Sequence, residues 1–134
     1  MLNNFTTLIV DDEHLNRLLM RKFLGAGRIP FAEATDGQEA LDWIRQCTNE
    51  NVIVLLDLNM PVMDGYEFLE YIAENYFEFK DKKILIIIVS ASEYTTFRQN
   101  APNADIIQYL PKPVSKEVLI DAVLQAAETL KATA

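Results

Sequence analysis

Aspartates follow two apolar runs of this chain without any spacer. Asp57 comes after the run 52–56, and Asp11 and Asp12 come after the run 8–10. Apolar runs without polar alternation are typical of strands that helices cover on both faces, and ligands bind at the carboxyl ends of such strands. If the two strands are neighbours, three carboxylates meet at one edge. Because such a cluster repels itself, it raises a pKa or recruits a hard divalent cation such as Mg²⁺.

Asp57 has an ordinary alternative role, as a helix N-cap or as a loop aspartate that hydrogen-bonds its own backbone. The capping position is already filled by Asp64, which stands three residues before Glu67 at the start of the next helical pattern. Asp57 is therefore left over, and its place at the end of a strand makes it a candidate for chemistry.

Two further polar groups are predicted at the same edge of the sheet. Lys112 lies between two prolines after the predicted strand 106–110, and it supplies a positive charge. Ser90 ends the run 84–89 and supplies a hydroxyl group. Phosphoryl transfer needs a nucleophile and groups that neutralise the charge on the phosphoryl oxygens, and each of these needs has a candidate here.

Four short segments together resemble the landmarks of the response regulator receiver domains of two-component signalling, the CheY-like family. They are VDDE at 10–13, LLDLNMPVMDG at 55–65, VSA at 89–91 and YLPKP at 109–113. They occur in the order and spacing of that family, each at the C-terminal end of a predicted strand, and the resemblance covers nearly the whole chain. It implies a flavodoxin-like (βα)5 fold with strand order 2-1-3-4-5, in which the first and third strands are neighbours.

The resemblance also implies a role for each polar residue at the edge. Asp57 would be the nucleophile that takes a phosphoryl group from a phosphohistidine or a small acyl phosphate. Mg²⁺ would screen the repulsion between this carboxylate and the phosphoryl group. The implied metal ligands are Asp11, Asp12, Asp57 and the backbone carbonyl of Asn59. Lys112, held by a cis Lys112-Pro113 bond, and Ser90 would contact phosphoryl oxygens.

Two pairs of residues would control the phosphorylated state. Ser90 and Tyr109 match the switch pair of the family, in which the hydroxyl moves toward the phosphoryl group and the aromatic ring swings into the space it leaves. The alternative for Tyr109 is a ring that packs at the sheet edge with a solvated hydroxyl. Asn59 and Ser92 would gate the access of water, and because both are small and polar, we expect fast hydrolysis.

The remaining pattern alternates strands with helices five times, which predicts a doubly wound five-stranded parallel sheet with right-handed crossovers. The first helix carries an apolar stripe at helical spacing, formed by Leu15, Leu18, Leu19 and Phe23. Asp36 with Glu39 forms a capping-box pattern before the second helix, and Ser115 can cap the last one. The segment 93–100 predicts a short, marginal fourth helix, which brings the usual docking face of the family into doubt.

Composition limits the partners and the location. The 134 residues carry a net charge of −8, which argues against nucleic acid or an anionic membrane as a direct partner. The single Cys47 cannot form an internal disulfide, no signal-peptide pattern is present, and no apolar run is long enough to span a bilayer. We therefore expect a cytoplasmic single receiver domain over 1–134 without an output domain.

The expected phosphoryl donor is a sensor histidine kinase or a histidine phosphotransfer protein, and the target is a further protein of unknown identity. The chain would be a monomer or a phosphorylation-dependent dimer. It would not be an enzyme beyond catalysing its own phosphorylation and dephosphorylation.

Three other functions fit these residues less well. A phosphatase of the haloacid dehalogenase type needs an aspartate two residues after the nucleophile, where this chain has Asn59. A flavodoxin needs a Ser/Thr/Gly-rich phosphate loop after the first strand, where two aspartates would repel the phosphate. A receiver-like module that is never phosphorylated is disfavoured because the acids, the acceptor, the hydroxyl and the lysine are all present.

Overall fold

The computed structural model of the chain describes residues 4–92 and 106–132. Five strands form one parallel sheet in the order β2-β1-β3-β4-β5. They are β1 Thr6–Val10, β2 Phe31–Ala34, β3 Asn51–Leu56, β4 Lys83–Ser90 and β5 Ile106–Pro111. The fold class and strand order predicted from the sequence are confirmed.

Helices connect the strands and cover both faces of the sheet. They are α1 His14–Ala26, α2 Gly37–Gln46, α3 Gly65–Glu74 and a C-terminal helix Lys116–Ala132, with a 3₁₀ turn Tyr76–Phe79 after α3. None of the helices within 4–92 and 106–132 is long and apolar enough to cross a membrane. The predicted fourth helix at 93–100 lies outside the described residues.

The central strand β3 is buried on both faces, as its unbroken apolar run predicts. Its even-numbered residues Val52, Val54 and Leu56 belong to a core cluster that includes residues of α2 and α3. The alternate residues Ile53 and Leu55 belong to a second cluster, with residues of α1 and the C-terminal helix. Successive side chains of a strand point to opposite faces, so both sets must be apolar when helices cover both sides.

Local capping interactions start α2, α3 and the C-terminal helix where the sequence predicts. Asp64 and Glu67 form a reciprocal capping box at α3, in which each side chain accepts a hydrogen bond from the other residue's N–H. Asp36 accepts from the N–H of Glu39 at 2.8 Å at the start of α2. Ser115 accepts from the N–H of Val118 at the start of the C-terminal helix.

The apolar stripe predicted for α1 faces the core only in part. Leu15 and Leu19 are 70% and 45% exposed, and the fully buried apolar residues of the helix are Met20 and Leu24. The helix begins three residues after Asp11, at the carboxyl edge of the sheet, and its buried residues lie in its later turns. The helix was predicted correctly, and the structure adds that these two leucines of its apolar stripe are exposed.

Candidate functional site

The register of the sheet brings the acidic residues to one edge. In the pairing of β1 with β3, Val10 lies opposite Leu56, so the next residue of each strand is an aspartate. The backbone N–H of Asp57 donates to the carbonyl of Val10 at 2.9 Å, and the N–H of Asp11 donates to the carbonyl of Ala34 at 3.1 Å. These bonds extend the ladder by one residue and hold the backbone of both aspartates.

Asp11, Asp12 and Asp57 form the acidic cluster that the sequence predicts. One carboxylate oxygen from each lies within 4.8 Å of the others. Asp11 is fully buried and Asp57 is 5% exposed, whereas Asp12 is open to solvent. Three carboxylates in an open all-oxygen pocket are the ligand type that Mg²⁺ selects, because this ion accepts a few carboxylates and keeps waters in its other positions. The residues therefore fit a Mg²⁺ site.

Lys112 supplies the opposite charge at this edge. Its Nζ lies 2.8 Å from Asp11 Oδ2 and 3.5 Å from Asp57 Oδ1. The Lys112-Pro113 peptide bond is cis, as the family resemblance implies. The backbone N–H of Lys112 donates to the carbonyl of Ser90, so the end of β5 is bonded to the end of β4. One cation thus lies between two buried carboxylates.

The electrostatics of the pocket shift two pKa values. Burial raises the pKa of Asp57 to about 6, and the Asp11 carboxylate adds to this effect, while Lys112 and the N–H groups of Asn59 and Leu58 oppose it. Burial works against the charged form of Lys112, but the Asp11 and Asp57 carboxylates outweigh it and raise the pKa of the lysine. The charge of Asp57 is therefore only partly compensated without a further cation.

This raised pKa predicts that Asp57→Asn stabilises the metal-free chain, and more at about pH 8 than at about pH 4.5. Between the unfolded pKa of about 4 and the folded pKa of about 6, the folded chain binds more protons than the unfolded one, so stability falls as pH rises. Removing the charge should restore about 1 to 3 kcal/mol of the free energy of unfolding at the higher pH. Thermal unfolding in the presence of a chelator at both pH values measures this gain in stability. An equal gain at the two pH values would contradict the raised pKa of Asp57.

The remaining predicted residues surround the acidic cluster. Ser90 is buried at the end of β4, and its Oγ accepts from the N–H of Ser92 at 3.2 Å. Asn59 Nδ2 donates to Ser92 Oγ at 3.1 Å, which joins the loops after β3 and β4. Tyr109 packs against the core cluster on the α2 and α3 side, and its hydroxyl oxygen is inaccessible to solvent. The switch and gate roles of these residues stay predictions. The alternative for Tyr109, a ring with a solvated hydroxyl, does not match the structure, because this oxygen is buried.

Two glycines, named in the sequence only as parts of motifs, allow close contacts at the site. A Cβ on Gly65 would lie 2.5 Å from the Asp57 carbonyl oxygen and 2.7 Å from Leu58 Cα. A Cβ on Gly37 would lie 2.7 Å from Met63 Cγ, and the Gly37 N–H donates to the Met63 carbonyl. Each glycine follows the N-cap aspartate of a helix, and that Asp-Gly pattern was the available signal.

Comparison with known proteins identifies the same type of domain. The family model of the response regulator receiver domain matches residues 7–124. The sensor histidine kinase CheAY of Helicobacter pylori is 31% identical over 121 residues, which are 90% of this chain and 15% of that protein. A CheY-like receiver domain protein from Methanospirillum hungatei superposes with a TM-score of 0.77 at 25% identity, covering 97% of this chain and 99% of the other.

A further solved structure shares the fold. The receiver domain of the sensor histidine kinase PA1611 from Pseudomonas aeruginosa has a TM-score of 0.76 at 21% identity, covering 92% of this chain and 97% of the other. That domain holds a magnesium ion coordinated in its active site cleft. Eight curated relatives that the chain matches are much longer proteins, and the chain spans between 5% and 15% of their length.

Proposed function

The chain belongs to the response regulator receiver domain family, and we propose that it takes a phosphoryl group onto Asp57 from a phosphohistidine of a partner protein, with Mg²⁺, and thereby changes a protein-binding surface. The observation that carries this proposal is the position of Asp57. Its carboxylate lies at the end of β3, beside two further aspartates and 3.5 Å from Lys112 Nζ. A carboxylate nucleophile needs positive charge around it to approach a dianion, and Lys112 together with a Mg²⁺ ion held by the aspartates would provide that charge.

In the proposed transfer, an Asp57 carboxylate oxygen forms a bond to phosphorus while the bond from phosphorus to the imidazole nitrogen of the donor breaks. The product is an acyl phosphate, and the donor histidine leaves as neutral imidazole after it gains a proton. Mg²⁺ held by Asp11, Asp12, Asp57 and the Asn59 carbonyl would supply charge neutralisation at the phosphoryl oxygens. Lys112 pairs with one phosphoryl oxygen and Ser90 Oγ donates to another.

Exposed apolar residues beside the pocket support a protein as the phosphoryl donor. Leu15 and Leu19 of α1 are exposed, and a cleft of about 300 Å³ lies between α1 and the segment Lys112 to Val114. Because this cleft is lined in part by Lys112, a surface that covers it also lies next to Asp57. A sensor histidine kinase or a histidine phosphotransfer protein is the proposed partner class.

The output is proposed to pass through Ser90 and Tyr109. The phosphoryl group adds about 1.5 to 2 negative charges, and Ser90 satisfies one of its oxygens by moving toward it. A movement of the Tyr109 ring then alters the protein surface at β5. A target protein or a second copy of the chain could bind this surface. A location in the cytoplasm stays a prediction.

Acyl phosphate labelling tests the proposal directly. The purified chain, incubated with Mg²⁺ and acetyl phosphate, should gain the mass of one phosphoryl group in intact-mass spectrometry, and the Asp57→Asn variant should gain none. Asp64→Asn is the matched control, because Asp64 lies in the adjacent loop and caps α3 without belonging to the acidic cluster. The control should be labelled like the unchanged chain. Labelling of Asp57→Asn, or no labelling of the unchanged chain, would contradict the proposal and favour a module that is never phosphorylated.

Hydrolysis of the phosphorylated chain should depend on Ser92. The Asn59 to Ser92 hydrogen bond joins two small polar residues beside the acceptor, and neither should block in-line attack by water. Ser92→Leu should therefore lengthen the lifetime of the acyl phosphate, measured as loss of the added mass with time. Ser92→Ala is the control for loss of the hydrogen bond alone. Equal lifetimes for Ser92→Leu and the unchanged chain would remove the gating role.

A further inference from the structure

Arg17 of α1 is bonded to the backbone of the acidic cluster. Its Nη1 donates to the main-chain carbonyl oxygen of Asp11 at 2.8 Å. That carbonyl belongs to the peptide unit that joins Asp11 to Asp12. The arginine side chain is only 14% exposed, so the contact lies at the base of the site and away from bulk solvent. Arg17 therefore holds the peptide plane from which Asp12 extends.

The Arg17 side chain is itself held in place from β2. Its Nε donates to Glu33 Oε1 at 3.3 Å, and Glu33 Oε2 accepts from Arg21 Nη1 at 3.0 Å. The planar guanidinium group thus spans β2 and the end of β1 with two donors in a fixed geometry. A lysine would keep the positive charge but would present its donors from a single nitrogen, without this planar fork.

Asp11 and Asp12 differ in how they are held. The Asp11 carboxylate accepts from the N–H of Glu13 at 2.9 Å and from Lys112 Nζ at 2.8 Å. For the exposed Asp12 carboxylate, no hydrogen bond or ion pair is found within 4–92 and 106–132. The direction of Asp12 therefore depends on its backbone, and Arg17 bonds to the peptide unit on its N-terminal side.

We propose that Arg17, supported by Glu33, is a positioning residue for the Mg²⁺ site, which acts by holding the Asp11-Asp12 peptide unit so that Asp12 points into the acidic cluster. This inference depends on the proposed function for the identity of the metal. Residues that orient metal ligands without touching the ion affect metal affinity by about 10- to 100-fold. We expect Arg17 to affect Mg²⁺ affinity within this range.

The sign of the effect separates positioning from simple electrostatics. Arg17→Gln removes a positive charge close to the site, and that change alone would strengthen the binding of a cation. Loss of the positioning contact would weaken it. Weaker Mg²⁺ binding in Arg17→Gln therefore cannot come from the charge change.

The test is calorimetric titration of Mg²⁺ into the unphosphorylated 134-residue chain and its variants. Arg17→Gln should weaken Mg²⁺ binding by about 10-fold or more, and Arg17→Lys should weaken it less. Arg21→Gln is the matched control, because it removes a neighbouring arginine that contacts Glu33 but has no bond to Asp11. The control should bind Mg²⁺ as tightly as the unchanged chain, or slightly more tightly.

A second measurement excludes a merely structural role. In acetyl phosphate labelling, Arg17→Gln should need more Mg²⁺ for half-maximal rate yet approach the unchanged rate at saturating Mg²⁺, whereas partial unfolding would lower the rate at every Mg²⁺ concentration. Equal or tighter Mg²⁺ binding in Arg17→Gln overturns the inference while leaving the proposed function intact. If the unchanged chain binds no Mg²⁺, the proposed metal site fails, and the role of Arg17 fails with it.

Discussion

Asp12→Ala should lower the rate of phosphorylation by about 100-fold or more while the chain stays folded, because metal charge stabilisation contributes several kcal/mol to such transition states. Asp12 is the acid of the cluster that is open to solvent, so it contributes a ligand without supporting the core. Its removal also relieves repulsion with Asp11 and Asp57, and the melting temperature of the metal-free chain should not fall. The rate is measured by acetyl phosphate labelling, and thermal unfolding is followed in parallel.

Asp11→Ala is the informative comparison for this prediction. Asp11 is fully buried, and its carboxylate accepts from Glu13 and pairs with Lys112. Its removal should lower both phosphorylation and stability, because breaking a buried ion pair is strongly destabilising. Normal phosphorylation of Asp12→Ala would show that the metal site is assigned to the wrong residues. A loss of stability as large as that of Asp11→Ala would show that the exposed acid has a structural role.

Gly65→Ala should lower the free energy of unfolding by about 3 kcal/mol, as overpacking of a rigid contact does. The added Cβ would meet the Asp57 carbonyl oxygen at 2.5 Å and Leu58 Cα at 2.7 Å, and both are backbone atoms that cannot rotate away. The Gly65 N–H also donates to the Leu58 carbonyl at 2.9 Å, so the start of α3 cannot retreat without losing this bond. Because the contact is with Asp57 itself, the variant should also lose phosphorylation. Urea unfolding and acetyl phosphate labelling measure the two effects.

Gly25→Ala provides the matched control for this substitution. Gly25 lies in the last turn of α1, and a Cβ there would meet no atom within 4 Å. The same change of residue type should be neutral or stabilise the chain by up to about 1 kcal/mol, because alanine has the higher helix propensity. Similar stability of Gly65→Ala and Gly25→Ala would show that the close approach at Asp57 is not a constraint on the fold.

Local patterns determined the elements of the fold and the type of site. The run 52–56 predicts a doubly covered strand because its residues must be apolar on both faces, and each of them is fully buried. The capping box of Asp64 and Glu67 is a local interaction over three residues, so its pattern predicts the start of the helix. Because Asp64 is the cap, Asp57 is not needed for capping. Aspartates that directly follow the apolar runs predict acids at the ends of two strands. The family resemblance supplied the strand order that makes these two strands neighbours.

The tertiary structure decided what depends on distances between residues far apart in the chain. The periodicity of α1 predicts a helix, but the exposure of Leu15 and Leu19 depends on where that helix packs, which periodicity does not tell. Arg17 carries no motif, and its bond to the Asp11 carbonyl appears only when the helix packs beside the strand. The raised pKa of Asp57 likewise comes from burial and from the nearby Asp11 carboxylate, with Lys112 opposing both. Sequence patterns encode local conformation and hydrophobicity, whereas these contacts arise from packing between elements, which no local pattern specifies.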